Sequence, residues 1–220
     1  MPYPASHRAA RREKIVSSAR RLFNRCGFDN VSIGDIMAGA GLTHGGFYKY
    51  FRSKSDLYTE VMNCFFTDPK WKNCWKGIDI DLAGELGPQI VRAYLSTTHF
   101  EDVENSCPMV ALPTDVARNG EGPKLAFQAA FDGMVELLSR GTNEKKASRA
   151  KAHAIAALCI GGMVAARAIA DRNRADKLRE HCMAIALDLG GWKAQKNTSR
   201  LAQAASTGPN ISQPPKHRAN

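Results

Sequence analysis

Residues 39–61 read GAGLTHGGFYKYFRSKSDLYTEV, and this stretch decides the fold. Gly39 and Gly41 bracket Ala40 and interrupt the apolar pattern before them, so a short turn belongs here. Thr43 can cap the helix that follows, which runs through His44, Gly45, Gly46, Phe47, Tyr48 and Lys49. Two adjacent glycines inside a helix cost roughly 2 kcal/mol relative to alanine. A backbone that must lie against a nucleic-acid strand gives a reason for that cost. It leaves no room for Cβ atoms, while the helix N-terminus offers amide hydrogens to phosphate. Phe47 then faces a core, and Thr43, His44, Tyr48 and Lys49 are placed for base or phosphate contact. Tyr50 and Phe51 end the helix, and Arg52-Ser53-Lys54 forms a basic corner. Ser53 or Ser55 caps a fourth helix carrying Leu57, Tyr58, Val61, Met62, Phe65 and Phe66.

Upstream, Ile15, Val16, Ala19, Leu22, Phe23 and Cys26 recur at three- and four-residue spacings. One face of a helix is therefore buried while the other carries Arg11, Arg12, Lys14, Arg20, Arg21 and Arg25. Gly27 stops that helix, and Phe28 and Val31 return the chain to the core. Ser32 caps a short second helix with Asp35 as the reciprocal carboxylate, and Ile33, Ile36 and Met37 face inward.

These residues carry a resemblance. The pattern AxxLFxxxGFxxxSIxDIxxxAGLTxGxFYxYFxSKxxLxxxV, from Ala19 to Val61, is similar to the DNA-binding domain of the tetracycline-repressor (TetR) family of transcriptional regulators. The resemblant block runs from about Arg11 to Phe66, a quarter of the chain, and the motif is long and specific. Val31 stands where the family often has Thr, and Gly46 where a bulkier Ser or Thr is common, which leaves the base-reading surface bare. The resemblance implies that Thr43 to Lys49 is the recognition helix, that Tyr48 and Lys49 contact DNA, and that Lys54 clamps a phosphate. Ser32, Thr43, His44 and Gly45 complete the expected DNA-facing set.

The charge of +10 favours a polyanionic partner without choosing among DNA, RNA and an anionic membrane. Its distribution is more telling: residues 1–25 hold seven Arg or Lys against the single acid Glu13. No unbroken run of 18 apolar residues exists, so no membrane span is expected, and no apolar leader follows the basic N-terminus; a cytoplasmic protein is expected. Six scattered cysteines lack metal-ligand spacing, so free thiols and no metal or other cofactor are expected.

After Phe66 the pattern predicts an irregular connection from Thr67 to Asp81, then a helix from Leu82 to Thr98 with Pro88 in its first turns. Phe100 to Asn105 reads as a connection. Met109 to Val116 is a helix interrupted by Pro113, and Glu121 begins a longer one through Leu138. Small residues from Ala147 to Ile169 allow close helix approach, and Ala175 to Leu189 supplies the last helix before Gly190-Gly191. The fold class is therefore all-α, with a helix-turn-helix domain over residues 8–53, a helical effector-binding and dimerisation domain over 54–191, and a basic tail over 192–220 expected to stay disordered.

By resemblance, the later helices enclose a small hydrophobic effector. Candidates on the near side are Phe65, Phe66, Trp71 and Trp75; those further along are Tyr94, Phe100, Met109, Leu112, Phe127 and Phe131. Ordinary core packing accounts for at least half of them, and no polar anchor stands out. The last two helices are implied to pair with their copies in a homodimer, through Ala154, Leu158, Gly161, Gly162 and Ala165, with Leu178, Cys182, Ile185 and Leu189. Cys107 before Pro108 is a candidate thiol sensor, because a helix start lowers a thiol pKa, although Glu101, Asp102 and Glu104 act against it. The expected function is a transcriptional regulator, a repressor released from a palindromic operator by its ligand. The alternatives are a ligand-independent DNA-binding dimer and a helical enzyme, the latter opposed by the lack of a nucleotide loop, a paired-carboxylate arrangement or a nucleophile motif.

Overall fold

A computed structural model describes residues 5–63, 80–140 and 145–192, and each regular element in them is helical. The first helix, α1 (Ala5–Cys26), buries Ile15, Ala19 and Phe23 completely. It ends at Gly27, whose N–H donates to the Phe23 carbonyl at 2.8 Å and whose φ of +78° is strained for any residue with a Cβ. In α2 (Ile33–Gly39) the capping pair forms as expected. The Asp35 N–H donates to Ser32 Oγ at 3.1 Å, and the Ser32 N–H donates to Asp35 Oδ2 at 3.0 Å. These bonds from Ser32 hold the Asp35 carboxyl below its usual range. Gly39 is fixed by packing on α1: a Cβ there would lie 2.4 Å from Ser18 Oγ, which donates to the Ile36 carbonyl at 2.9 Å.

The next element differs from the expected α-helix. His44–Lys49 is a six-residue 3₁₀ helix, closed by bonds from Gly46 N–H to Thr43 O at 3.0 Å and from Tyr50 N–H to Phe47 O at 2.9 Å. Thr43 occupies the cap position with extended backbone, but its side chain makes no capping bond. Two glycines in six residues leave an α-helical turn weakly favoured. In α3 (Lys54–Asn63) the cap is Ser53 rather than Ser55: Asp56 N–H donates to Ser53 Oγ at 3.0 Å, and Arg52 N–H to Asp56 Oδ2 at 3.0 Å.

The remaining helices are α4 (Leu86–Tyr94), α5 (Thr97–Glu101), α6 (Pro108–Ala111), α7 (Pro113–Arg118), α8 (Glu121–Ser139), α9 (Lys145–Ala168) and α10 (Arg172–Leu189). The single helix expected from Leu82 to Thr98 is shorter and split, because Ser96 Oγ accepts the His99 N–H at 3.0 Å and starts a new helix. Phe100, expected in a connection, therefore lies within α5. Pro113 divides α6 from α7 as its missing N–H requires. Asp171 caps α10 by accepting the Arg174 N–H at 3.0 Å, so that helix begins at Arg172, earlier than the pattern indicated.

Buried side chains from Ile15 in α1 to Leu187 in α10 form one continuous cluster, so the first and last helices share a core. Within it Phe23 meets Tyr58 edge-on, ring centroids 5.3 Å apart, and the Tyr58 hydroxyl donates to the Leu112 carbonyl at 3.4 Å. Arg149–Ala168 is long and apolar enough to cross a membrane by length and composition, because dispersed small residues raise its hydropathy without an unbroken apolar run. Here 39% of the window is buried, and α9 packs against α8 and α10.

Candidate nucleic-acid interface

The 3₁₀ helix is held to the bundle by one side chain and leaves the rest outside. Phe47 is fully buried and packs on Phe51 with ring centroids 5.8 Å apart. Thr43, His44, Gly45, Tyr48 and Lys49 are all exposed, Tyr48 to 65%. A Cβ built on Gly45 would touch nothing within 4 Å, and one on Gly46 would make an ordinary contact with Met37 Cε at 3.5 Å. Folding therefore requires neither glycine for space.

Basic residues of α1 brace this surface. Arg8 donates to the Lys49 carbonyl at 3.0 Å, satisfying one of the acceptors at the end of the 3₁₀ helix. Arg12 pairs with Glu60 of α3 at 2.6 Å, and its guanidinium carbon lies 4.7 Å from the Phe51 ring centroid. Sequence periodicity placed Arg12 on the polar face and did not single out Arg8, and it missed both roles, which depend on partners more than 40 residues away.

Ser32 is exposed, but its hydroxyl already donates to Asp35 Oδ2 at 2.6 Å. Lys54 departs from the expected phosphate clamp. Its ammonium turns inward, donating to the Val31 carbonyl at 2.7 Å and lying 4.2 Å from the Phe28 ring centroid. Burial lowers its pKa, with Asp29 opposing. Lys54 thus ties the loop between α1 and α2 to the start of α3.

The effector-lining candidates separate into groups. Phe65, Phe66, Trp71 and Trp75 lie outside the described residues. Tyr94, Met109 and Leu112 are fully buried. Phe127 and Phe131 are half-buried and stacked on α8 with centroids 6.4 Å apart. Phe100 stands apart, because the guanidinium carbons of Arg172 and Arg179 each lie 4.8 Å from its centroid; it belongs to the seam between α5 and α10. Arg179 is 4% exposed, donates to the Leu95 carbonyl at 2.7 Å and pairs with Asp176.

Cys107 is fully buried at the cap of α6, and its N–H donates to Nε2 of the buried His99 at 3.3 Å. With Nδ1 of His99 2.6 Å from the Tyr94 carbonyl, the ring is the neutral tautomer that donates from Nδ1 and accepts at Nε2. Burial chiefly pushes its pKa down to about 4, Arg167 also lowering it while the Tyr94 carbonyl and Asp102 oppose. The sulfur lacks the exposure that a fast-reacting thiol needs. Among the described residues Cys26, Cys107, Cys159 and Cys182 form no disulfide, and no group of three or more His, Cys, Asp or Glu could hold a metal ion.

The expected dimer residues divide as well. Ala154, Gly161, Ala165 and Ile185 are exposed, whereas Leu158, Leu178, Cys182 and Leu189 are half-buried. Gly162 is buried inside the chain: a Cβ there would lie 2.8 Å from Cys182 Sγ, so this pair forms the seam between α9 and α10.

Residues 15–61 match the family described as bacterial regulatory proteins, tetR family. The segment belongs to the tetR family. Its capped α2, exposed 3₁₀ helix and buried Phe47 fall inside the matched residues. Among curated relatives, the HTH-type transcriptional regulator AcrR of Shigella flexneri is 42% identical over 50 residues, which is 23% of each chain. The uncharacterized HTH-type transcriptional regulator YerO of Bacillus subtilis is 28% identical over 102 residues, covering 46% of this chain and 34% of that protein. The chain thus spans 23% and 34% of the length of these two relatives. In fold, the reduced form of E. coli NemR superposes with a TM-score of 0.62 at 20% identity, covering 81% of this chain and 96% of that one. The fatty acid degradation regulator FadR of Bacillus halodurans superposes with a TM-score of 0.55 at 15% identity, over 80% of this chain and 94% of that one. At such identities the likeness is one of all-α architecture.

Proposed function

We propose that this protein is a DNA-binding transcriptional regulator that acts in the cytoplasm as a homodimer, a repressor released from its operator by a small hydrophobic ligand. The observation that carries the DNA-binding reading is Gly45. It faces open space within the 3₁₀ helix, with no packing inside the chain to account for a missing Cβ. An outside surface that approaches the backbone closely does account for it, and Thr43, His44, Tyr48 and Lys49 surround it.

One 3₁₀ helix of six residues reads only a few base pairs, so two copies related by two-fold symmetry are needed for a useful operator. The exposed small residues Ala154, Gly161 and Ala165 with Ile185 support α9 and α10 as the contact between copies. Ligand release then works by geometry: an effector among the later helices favours one setting of α3 and changes the separation of the paired 3₁₀ helices.

Selection of bound duplexes from a random DNA pool tests the proposal. A palindrome with half-sites about one helical turn apart, bound by a dimer, is the expected result. Failure to enrich any sequence at low salt rejects it.

A further inference from the structure

We propose that residues 99–106 form a coupling segment between the later helices and α1, a second connection to the DNA-facing helices that does not pass through α3. The proposal deepens the regulator reading and rests on it for its purpose, although its geometry stands alone.

The segment is gripped from two sides. From α9, Arg167 donates to the carbonyls of His99 and Phe100, at 2.5 and 3.3 Å, and to Ser106 Oγ at 3.1 Å. From α1, the Asn24 side-chain amide donates to the carbonyls of Glu104 and Ser106, at 3.1 and 2.9 Å, while Arg25 pairs with Glu104 at 2.8 Å. Ser106 is therefore shared: its hydroxyl faces the arginine of one helix and its carbonyl the asparagine of the other. It is 1% exposed. Neither end of this chain of bonds can move while the other keeps its geometry, because buried carbonyls that lose a donor are costly.

The joint is also incomplete on the α1 side. Asn24 is 7% exposed, and its Oδ1 has no hydrogen-bond partner among the described residues. A buried acceptor left without a donor raises the free energy of this arrangement, so a second setting of α1 that supplies one competes with it. A two-setting joint whose balance depends on Arg167 is what coupling requires. Four residues beyond Asn24, the Phe28 N–H donates to Asp115 Oδ2 at 2.9 Å, which gives a bond close to the joint whose opening reports on it.

Hydrogen exchange on the free, full-length protein tests this. Arg167→Met and, separately, Ser106→Ala are expected to speed exchange of the Gly27 and Phe28 amides by about five- to tenfold, and adding Asn24→Ala to Arg167→Met is expected to give little more. Wild-type exchange at Gly27 and Phe28 in both single variants, with changes confined to residues 99–107 and α9, overturns the proposal. Should Arg167→Met fail to fold, Ser106→Ala decides, since it removes only a hydroxyl. No DNA is involved, so the coupling stands or falls whether or not the protein selects an operator.

Discussion

Arg12 and Glu60, 48 residues apart, meet at 2.6 Å across the junction of α1 and α3, with the Arg12 guanidinium also over the Phe51 ring. Both side chains are about a third or more exposed, which keeps the pair modest. Arg12→Ala is expected to cost about 1 kcal/mol in urea denaturation, from the ion pair and the ring contact together. A double-mutant cycle with Glu60→Gln should show a coupling that shrinks as salt rises. Additive effects at low salt would mean that the pair contributes nothing.

Gly45 separates folding from binding. Gly45→Ala adds a Cβ into open space and restricts the unfolded chain, so stability is expected to hold or rise by up to about 0.5–1 kcal/mol. Affinity for selected DNA is expected to fall. Tight binding by the alanine variant would show that the glycine is not at the interface. Phe47→Ala gives the opposite profile, losing about 3–5 kcal/mol of stability because Phe47 is fully buried.

For Lys54 the expected loss is in stability. Lys54→Met leaves the Val31 carbonyl without its donor and removes the contact with the Phe28 ring, at a cost of about 1–2 kcal/mol by thermal or urea unfolding. The salt dependence of DNA binding should be unchanged. A fall in the slope by about one unit with stability intact would restore the phosphate-clamp role.

His99 predicts an acid limb in the stability curve. Its folded pKa, about 4, lies below the ordinary 6.5, so the unfolded chain takes up the proton first. The neutral ring's contribution is present above pH 6.5, declines as pH falls from there to about 4, and levels off below, a loss on the order of 3 kcal/mol. Comparing urea midpoints at pH 7 and 4.5 checks it, with His99→Gln expected to be less stable at pH 7 and less pH-dependent. An identical slope in both proteins would assign the acid limb to other groups.

Much of this architecture was legible because its causes are local. Ser32 and Asp35 are three residues apart, Gly27 directly follows the α1 stripe, and Pro113 divides its own helix. Where partners are distant in sequence, the reading failed. Nothing near Lys54 announces the Val31 carbonyl, and nothing near Phe100 announces two arginines from α10, more than 70 residues on. The exposure of Thr43, His44, Gly45, Tyr48 and Lys49 was legible as a group because it follows from the one buried residue, Phe47. Asn24 was invisible: it lies beside the apolar positions of α1, and only the fold reveals that Ser106 waits there.

Gly161 and Gly162 sit about 100° apart around α9, one turned outward and the other against Cys182. Identical in chemistry and adjacent in sequence, they answer to different constraints. A methyl group added at Gly162 strikes the neighbouring helix of the same molecule and must disturb every copy, however dilute. The same methyl at Gly161 meets nothing inside the chain, so beyond the helix propensity that alanine adds, any effect it has on contact between copies would depend on protein concentration.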